Sequence, residues 1–327
     1  MKKIIRKALT LSLTSILLFS FSMVASADGA SISKIEGNTV LLNSGWTQKE
    51  IDDLLTKEEV ERYTNSALVE QTTHYVKQTV NVDVQENGQT LTQGLTPTIT
   101  PIEGTEKVVP LSEDEFYQEV AEYNVAQNEK QTLPKLRMIE QQEVNIQNSS
   151  VDYVTDDGYM KYTMQAFKVG TNDYQLNLRF EWVISPSQRG IDILALGHGP
   201  QLVQSGNQSN VIFTAAYDAV SSGQTFTGLP IPRENTVADP GGTAITFELP
   251  TSSLNFAAYN FRGYMSYHAQ KGNTNDTAVG INGYYKHKVS SLSVAPAIAW
   301  PLGGALTISS ASTYVTENPP PYFSFGL

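Results

Sequence analysis

Residues Tyr174–Ile184 read Tyr-Gln-Leu-Asn-Leu-Arg-Phe-Glu-Trp-Val-Ile. Tyr174, Leu176, Leu178, Phe180, Trp182 and Ile184 fall on one parity, and Gln175, Asn177, Arg179 and Glu181 on the other. Successive side chains of a strand point to opposite faces, so the stretch predicts an antiparallel strand with one buried face and one wet face. Similar runs recur at 159–169, 191–196, 210–217, 243–249, 256–268, 280–289 and 305–315. Turn chemistry separates them: Asp156-Asp157-Gly158, Gly170-Thr171-Asn172-Asp173, Asp239-Pro240-Gly241-Gly242 and Gly272-Asn273. Many short strands without helical periodicity between them predict a mainly β protein, with an antiparallel β-sandwich over residues 134–327. No repeat of fixed length appears, which argues against a propeller or solenoid. After Lys288 the only charged side chain is Glu317, and the chain closes on Tyr-Phe-Ser-Phe-Gly-Leu, a terminal strand that needs covering.

Upstream, residues 28–133 read as a small α+β segment. Residues 28–45 suggest an extended lead-in. Thr47 with Glu50 and Thr56 with Glu59 are consecutive capping boxes, followed by Ile51, Leu54, Leu55, Val60 and Tyr63 at helical spacing. Two short helices in succession, a helical hairpin or a kinked helix, fit that pattern better than one long helix. Residues 68–84 change to period two, with His74, Val76, Val80, Val82 and Val84 on one parity, and predict one long strand. Residues 87–110, with Pro97, Pro101 and Pro110, predict a Thr/Pro-rich linker. Ser112 with Glu115 opens a helix that carries Phe116, Val120 and Tyr123 and fades by about Gln131.

The first 27 residues have the composition of an export leader. Lys2, Lys3, Arg6 and Lys7 precede an apolar run from Ala8 to about Val24, and Ala25-Ser26-Ala27 offers a cleavage box. The expectation is a secreted protein cleaved near Ala27–Asp28, with no stable membrane anchor. The whole chain carries 22 basic and 33 acidic residues, a formal charge of −11. The leader holds four of the basic ones, which leaves 18 against 33, or −15, for the remainder. Such a surface repels phosphate backbones, so nucleic acid is not an expected partner. The chain has no cysteine, which excludes disulfides, thiolate metal sites and a cysteine nucleophile.

Chemistry-bearing patterns are sparse. No nucleophile elbow, zinc-protease helix, phosphate loop, dinucleotide fingerprint or calcium loop is present. The four histidines, His74, His198, His268 and His287, do not pair at ligand spacing. His198, between Gly197 and Gly199-Pro200, reads as an exposed turn histidine, with a general base as the sharper alternative. His268 and His287 lie beside Tyr264, Tyr267, Tyr284 and Tyr285 and read as sheet-face packing. Asp152, Asp156 and Asp157 read as a hairpin turn rather than calcium ligands. Glu113, Asp114, Glu115, Glu119 and Glu122 form an acidic helix face whose default is solvation. No catalytic, cofactor-binding or metal-ligating residue is assigned, and no cofactor is expected.

Four stretches carry a resemblance: Gly45-Trp46-Thr47 with Ile51–Leu55 and Glu59–Tyr63; Leu178–Trp182; Gly263–Tyr267; and Val289–Pro296. Together they resemble a loose group of uncharacterised exported proteins of Gram-positive Bacillota. The resemblance implies source and localisation and brings no activity or site residues. The functional expectation is a secreted, cofactor-free binding or surface-interaction module for an extracellular protein or carbohydrate. An extracellular hydrolase acting on wall glycan or peptide is the alternative, and a β-pore-forming protein the second.

Overall fold

In the computed structural model, residues 29–85, 98–101, 107–132, 154–186, 189–205, 210–253, 255–272, 275–288, 298–299, 307–308, 314–315 and 320–327 are described. The leader and its cleavage point, Asp152, and the motif over 289–296 lie outside them. Three helices come first: α1 (Gly29–Asn43), α2 (Gln48–Leu54) and α3 (Lys57–Glu61). Then follow β1 (Ala67–Gln85), β2 (Thr98–Pro101), β3 (Lys107–Leu111) and the helix α4 (Glu113–Thr132). The remainder is strand: β4 (Val154–Lys168), β5 (Asp173–Ile184), β6 (Ile191–His198), β7 (Leu202–Gln204), β8 (Ile212–Ser221), β9 (Gln224–Ile231), β10 (Arg233–Asp239), β11 (Gly242–Glu248), β12 (Phe256–Lys271), β13 (Ala278–Lys288), β14 (Ile298–Ala299), β15 (Thr307–Ile308), β16 (Tyr314–Val315) and β17 (Tyr322–Gly326).

The protein is mainly β, with antiparallel pairing throughout. One sheet runs β2-β1-β4-β5-β12-β8-β9, with β3 also on β1 and β7 on β12. The second runs β10-β11-β6-β13-β16, with β17 on β13. Their inner faces share one apolar core, to which Leu176, Leu178, Phe180 and Trp182 of β5, Leu194 and Leu196 of β6, Phe247 of β11 and Tyr285 of β13 all belong. Phe180 stacks on Phe247 at 5.4 Å and meets Tyr285 at 4.8 Å, which locks the layers across the sandwich. The terminal strand β17 buries Phe323 and Phe325 and pairs with Ala278–Asn282.

Several expectations change. The lead-in 28–45 is helical from Gly29, and α1 packs on α2 and α3. At Gly37 a Cβ would fall on the Val60 carbonyl oxygen, so the helix pair needs glycine there. Within the predicted linker 87–110, Thr98–Pro101 and Lys107–Leu111 are strands paired to β1, because β1 extends far enough to offer both of them its edge. Asp156-Asp157-Gly158 is not a hairpin turn. These residues lie inside β4, opposite Val80, Thr79 and Gln78 of β1, where strand pairing overrides local turn propensity. The strand from 28–133 thus pairs with one from 134–327 along Ala67–Val82. Of the run 305–315, only β15 and the Tyr314–Val315 strand lie within the described residues.

The largest departure concerns β5. Its polar parity is not wet: Gln175, Asn177 and Arg179 are buried. The three N-terminal helices lie over that outer face and close a second apolar cluster of Leu41, Trp46, Ile51, Leu54, Val60 and Tyr63 against Phe167, Ala216 and Tyr264. Both predicted capping boxes form, Thr47 with Glu50 and Thr56 with Glu59.

Candidate functional site

Helix α4 starts at Ser112, whose hydroxyl accepts from the Glu115 N–H while the Glu115 carboxylate takes the Ser112 N–H and hydroxyl. Those bonds from Ser112 hold the Glu115 carboxyl below its ordinary value. Phe116 and Val120 are buried against Tyr159, with Tyr75, Leu111 and Tyr123 packed around them. This apolar seam fixes the rotation of the helix. It turns the adjacent stripe, Glu115, Glu119 and Glu122, into a groove between α4 and the β1–β4 pair. The groove holds about 620 Å³ and is completed by Lys77, Gln118, Tyr123, Ala126 and Tyr159.

At its floor, Glu119 Oε2 accepts from Lys77 Nζ at 3.0 Å and from the Tyr159 hydroxyl at 3.0 Å. The ammonium also lies 5.3 Å from the Tyr159 ring centre. Burial raises the Tyr159 phenol, opposed by Lys77 and reinforced by Glu119, so it stays a neutral donor at neutral pH. Gln118 donates to Glu122 at 2.9 Å. Three carboxylates against one ammonium, with two tyrosines in the wall, suit recognition of a polar ligand carrying donors or positive charge. Each carboxylate already accepts a hydrogen bond: Glu119 from Lys77 and Tyr159, Glu115 from Ser112, and Glu122 from Gln118. Part of the acidic face expected to be solvated is therefore structural, since Glu119 is tied to the sheet.

His198 is not the exposed turn residue expected. It ends β6 at 1% exposure, with Nδ1 2.9 Å from Gly199 O and its ring 5.9 Å from Tyr267. The turn glycines are held by neighbouring strands, the Gly199 N–H donating to Gly280 O, and that pulls the imidazole inward. His74 stacks on Tyr162 at 5.6 Å, and His268 lies 3.9 Å from Asp173. Among the described residues no group of three or more residues of metal-ligating type comes together.

The residue that sequence reading missed is Asp192. It is fully buried, and it accepts from the Tyr285 hydroxyl at 2.5 Å, from His287 Nδ1 at 2.9 Å and from the Lys288 N–H at 3.1 Å. Trp182 Nε1 in turn donates to the Tyr285 hydroxyl at 2.9 Å. Burial, and then the Asp192 charge, push the Tyr285 phenol well above its ordinary value. The signal was an aspartate inside the apolar run Ile191–Leu196, which demands buried donors on an adjacent strand. The pair has the look of an oriented base, but both members lie at 2% exposure or less, in the core beneath Trp182. Its role is to hold β6 to β13.

No protein-family model matches the chain, and no curated protein matches it. Among solved structures, it aligns with one described as manganese lipoxygenase of Gaeumannomyces graminis with part of zonadhesin of Komagataella pastoris. That match has 7% identity and a TM-score of 0.25, and covers 78% of this chain and 83% of the other. A structure described as a pore forming protein aligns at 10% identity and a TM-score of 0.25, over 52% of this chain and 85% of the other.

Proposed function

We propose that the protein is an exported, extracellular binding module, and that its ligand occupies the groove between α4 and the β1–β4 pair. The observation that carries this reading is the groove itself: an aromatic-walled concavity of about 620 Å³ with polar groups converging on Lys77, Glu119 and Tyr159. The leader-like sequence Met1–Ala27 supports export, and an acidic surface suits a ligand drawn from basic segments of extracellular proteins or from aminated glycans. The extracellular hydrolase alternative rests on the compartment and on the His198 loop, and of these the His198 side chain is buried.

The test is an array of basic peptides and aminated glycans probed with purified chain, followed by titration calorimetry on the hits. Glu122→Gln and Gln118→Ala should weaken binding about tenfold or more while moving the melting temperature little, since both side chains are exposed along the groove. Binding that survives both changes would relocate the site. Secreted protein from the producing cell should begin at or within a residue or two of Asp28 by mass spectrometry, and retention of Met1–Ala27 would refute export.

A further inference from the structure

Residues 219–232 and 249–261 carry no charged side chain, in a chain that has 22 basic and 33 acidic residues. The two stretches are far apart in sequence, and strand pairing makes them neighbours. Ser221 pairs with Gln224 across the β8–β9 hairpin and with Phe256 of β12, and Val220 pairs with Thr225 and Ala257. Together they form one end of the larger sheet. Ser222 at φ 49° and Gly223 at φ 80° both take the left-handed conformation that a two-residue hairpin turn demands.

Aromatic side chains at this end rise from the core to the surface. Phe261 is fully buried, Tyr217 stacks on it at 6.1 Å, and Phe256 meets Tyr217 at 6.4 Å. Tyr217 and Phe256 are only partly buried against the inter-sheet core. Gln224 and Phe256 flank Ser221 on one sheet face, and Phe226, two residues beyond Gln224, shares that face. Phe226 is 40% exposed. Around these rings Ser222, Gln224, Thr225, Thr227 and Asn255 are exposed. The Arg189 guanidinium, 4.9 Å from the Phe261 ring centre, is committed to the Pro250 and Ala258 carbonyls.

A single exposed phenylalanine is ordinary on a protein surface. What sets this end apart is that core-anchored rings, exposed hydroxyl and amide groups and a complete lack of charge coincide on two stretches of chain. A neutral sugar ring has the complementary surface. Its apolar C–H face packs on an aromatic ring, and its hydroxyls meet side chains that both donate and accept. Neither side has a charge to desolvate. An anionic bilayer or wall polymer finds no cation in these two stretches and is repelled by the acidic remainder of the chain.

We propose that the β8–β9 hairpin and the start of β12 form a second binding surface, separate from the α4 groove, that takes a neutral glycan.

Sedimentation of the full chain with cellulose, chitin and mannan tests this. At least one of the three should retain the protein, equally well from about 0.05 to 1 M salt, because no charge pair is involved. Phe226→Ala should weaken retention tenfold or more by removing the exposed ring, and Thr225→Asp should do the same by placing a charge in the patch. Both positions are exposed, so the melting temperature should move little. Tyr322→Ala removes a 57% exposed aromatic elsewhere on the molecule and should bind as wild type. Retention by none of the three glycans overturns the proposal, as does retention that both patch variants keep or that Tyr322→Ala loses equally. Binding to vesicles of phosphatidylcholine in place of the glycans also overturns it, and would assign the patch to a membrane surface.

Discussion

Asn177 and Leu178 are adjacent residues whose sequence pattern predicts opposite fates, and both are fully buried. Leu178 points into the inter-sheet core. Asn177 bonds Tyr63 with its amide and accepts from Ser266 Oγ at 2.9 Å, and Gln175 donates to that same serine. Burial pushes the Tyr63 phenol up to about 12, so this cluster is neutral and offers no cation to an introduced carboxylate. Leu178→Asp should cost about 4 kcal/mol or more, enough to abolish folding of a marginal domain. Asn177→Asp should cost about 2–4 kcal/mol at pH 7 in denaturant titrations, far beyond the ~0.5 kcal/mol of a surface exchange. An aspartate there would have a raised folded value, so its penalty should fade as pH falls toward about 4, the unfolded value. A change under 0.5 kcal/mol at pH 7 would mean that the outer face is open to water.

At the scale of elements, Asp218 ties β8 to β12 and to Gly228 within β9. It accepts from the Gly228 N–H at 3.0 Å, from Asn260 Nδ2 at 3.0 Å and from Arg262 at 2.9 Å, with Lys49 of α2 at 4.0 Å and Asp53 across the same guanidinium. Burial alone would raise this carboxyl, but the bonds from Gly228, Asn260 and Arg262 outweigh it and hold the group below its ordinary value. A depressed folded value stabilises above the unfolded one, and that contribution is lost as pH falls through the folded value. Stability should therefore drop below about pH 4, and Asp218→Asn should flatten that part of the pH–stability curve while lowering the plateau at pH 7. An unchanged slope would detach Asp218 from the acid response. Asn260, at φ 52°, sits at the irregularity in β12 that lets Arg262 reach both carboxylates.

For the whole molecule, the spacing between the sheets sets what the core tolerates. Gly283 of β13 faces Met164 of β4 so closely that a Cβ would overlap the thioether. Gly283→Val should cost about 1–3 kcal/mol by overpacking, with the methionine yielding part of the space. A neutral result in thermal melts would show that the layers slide apart more freely than their aromatic contacts imply. The two sheets, the outer helical cover and α4 occupy different faces, so an inner-face change of this kind should leave the groove at Lys77 and Glu119 intact.

The sequence by itself determined strand identity wherever alternation was strict, as at Tyr174–Ile184, and helix starts wherever a capping box preceded an apolar face, as at Thr47, Thr56 and Ser112. Both signals are local, written within a few residues by backbone geometry. The tertiary structure decided which polar faces meet water. Gln165, Asn177 and Arg179 look like surface residues along their strands, and only helices more than 100 positions away cover them. It likewise turned His198 inward, drew Asp156 and Asp157 into a strand, and set Asp192 beside His287 across 95 positions of chain. Periodicity specifies which side chains share a face. What lies against that face depends on long-range packing, which leaves no periodic trace in the chain.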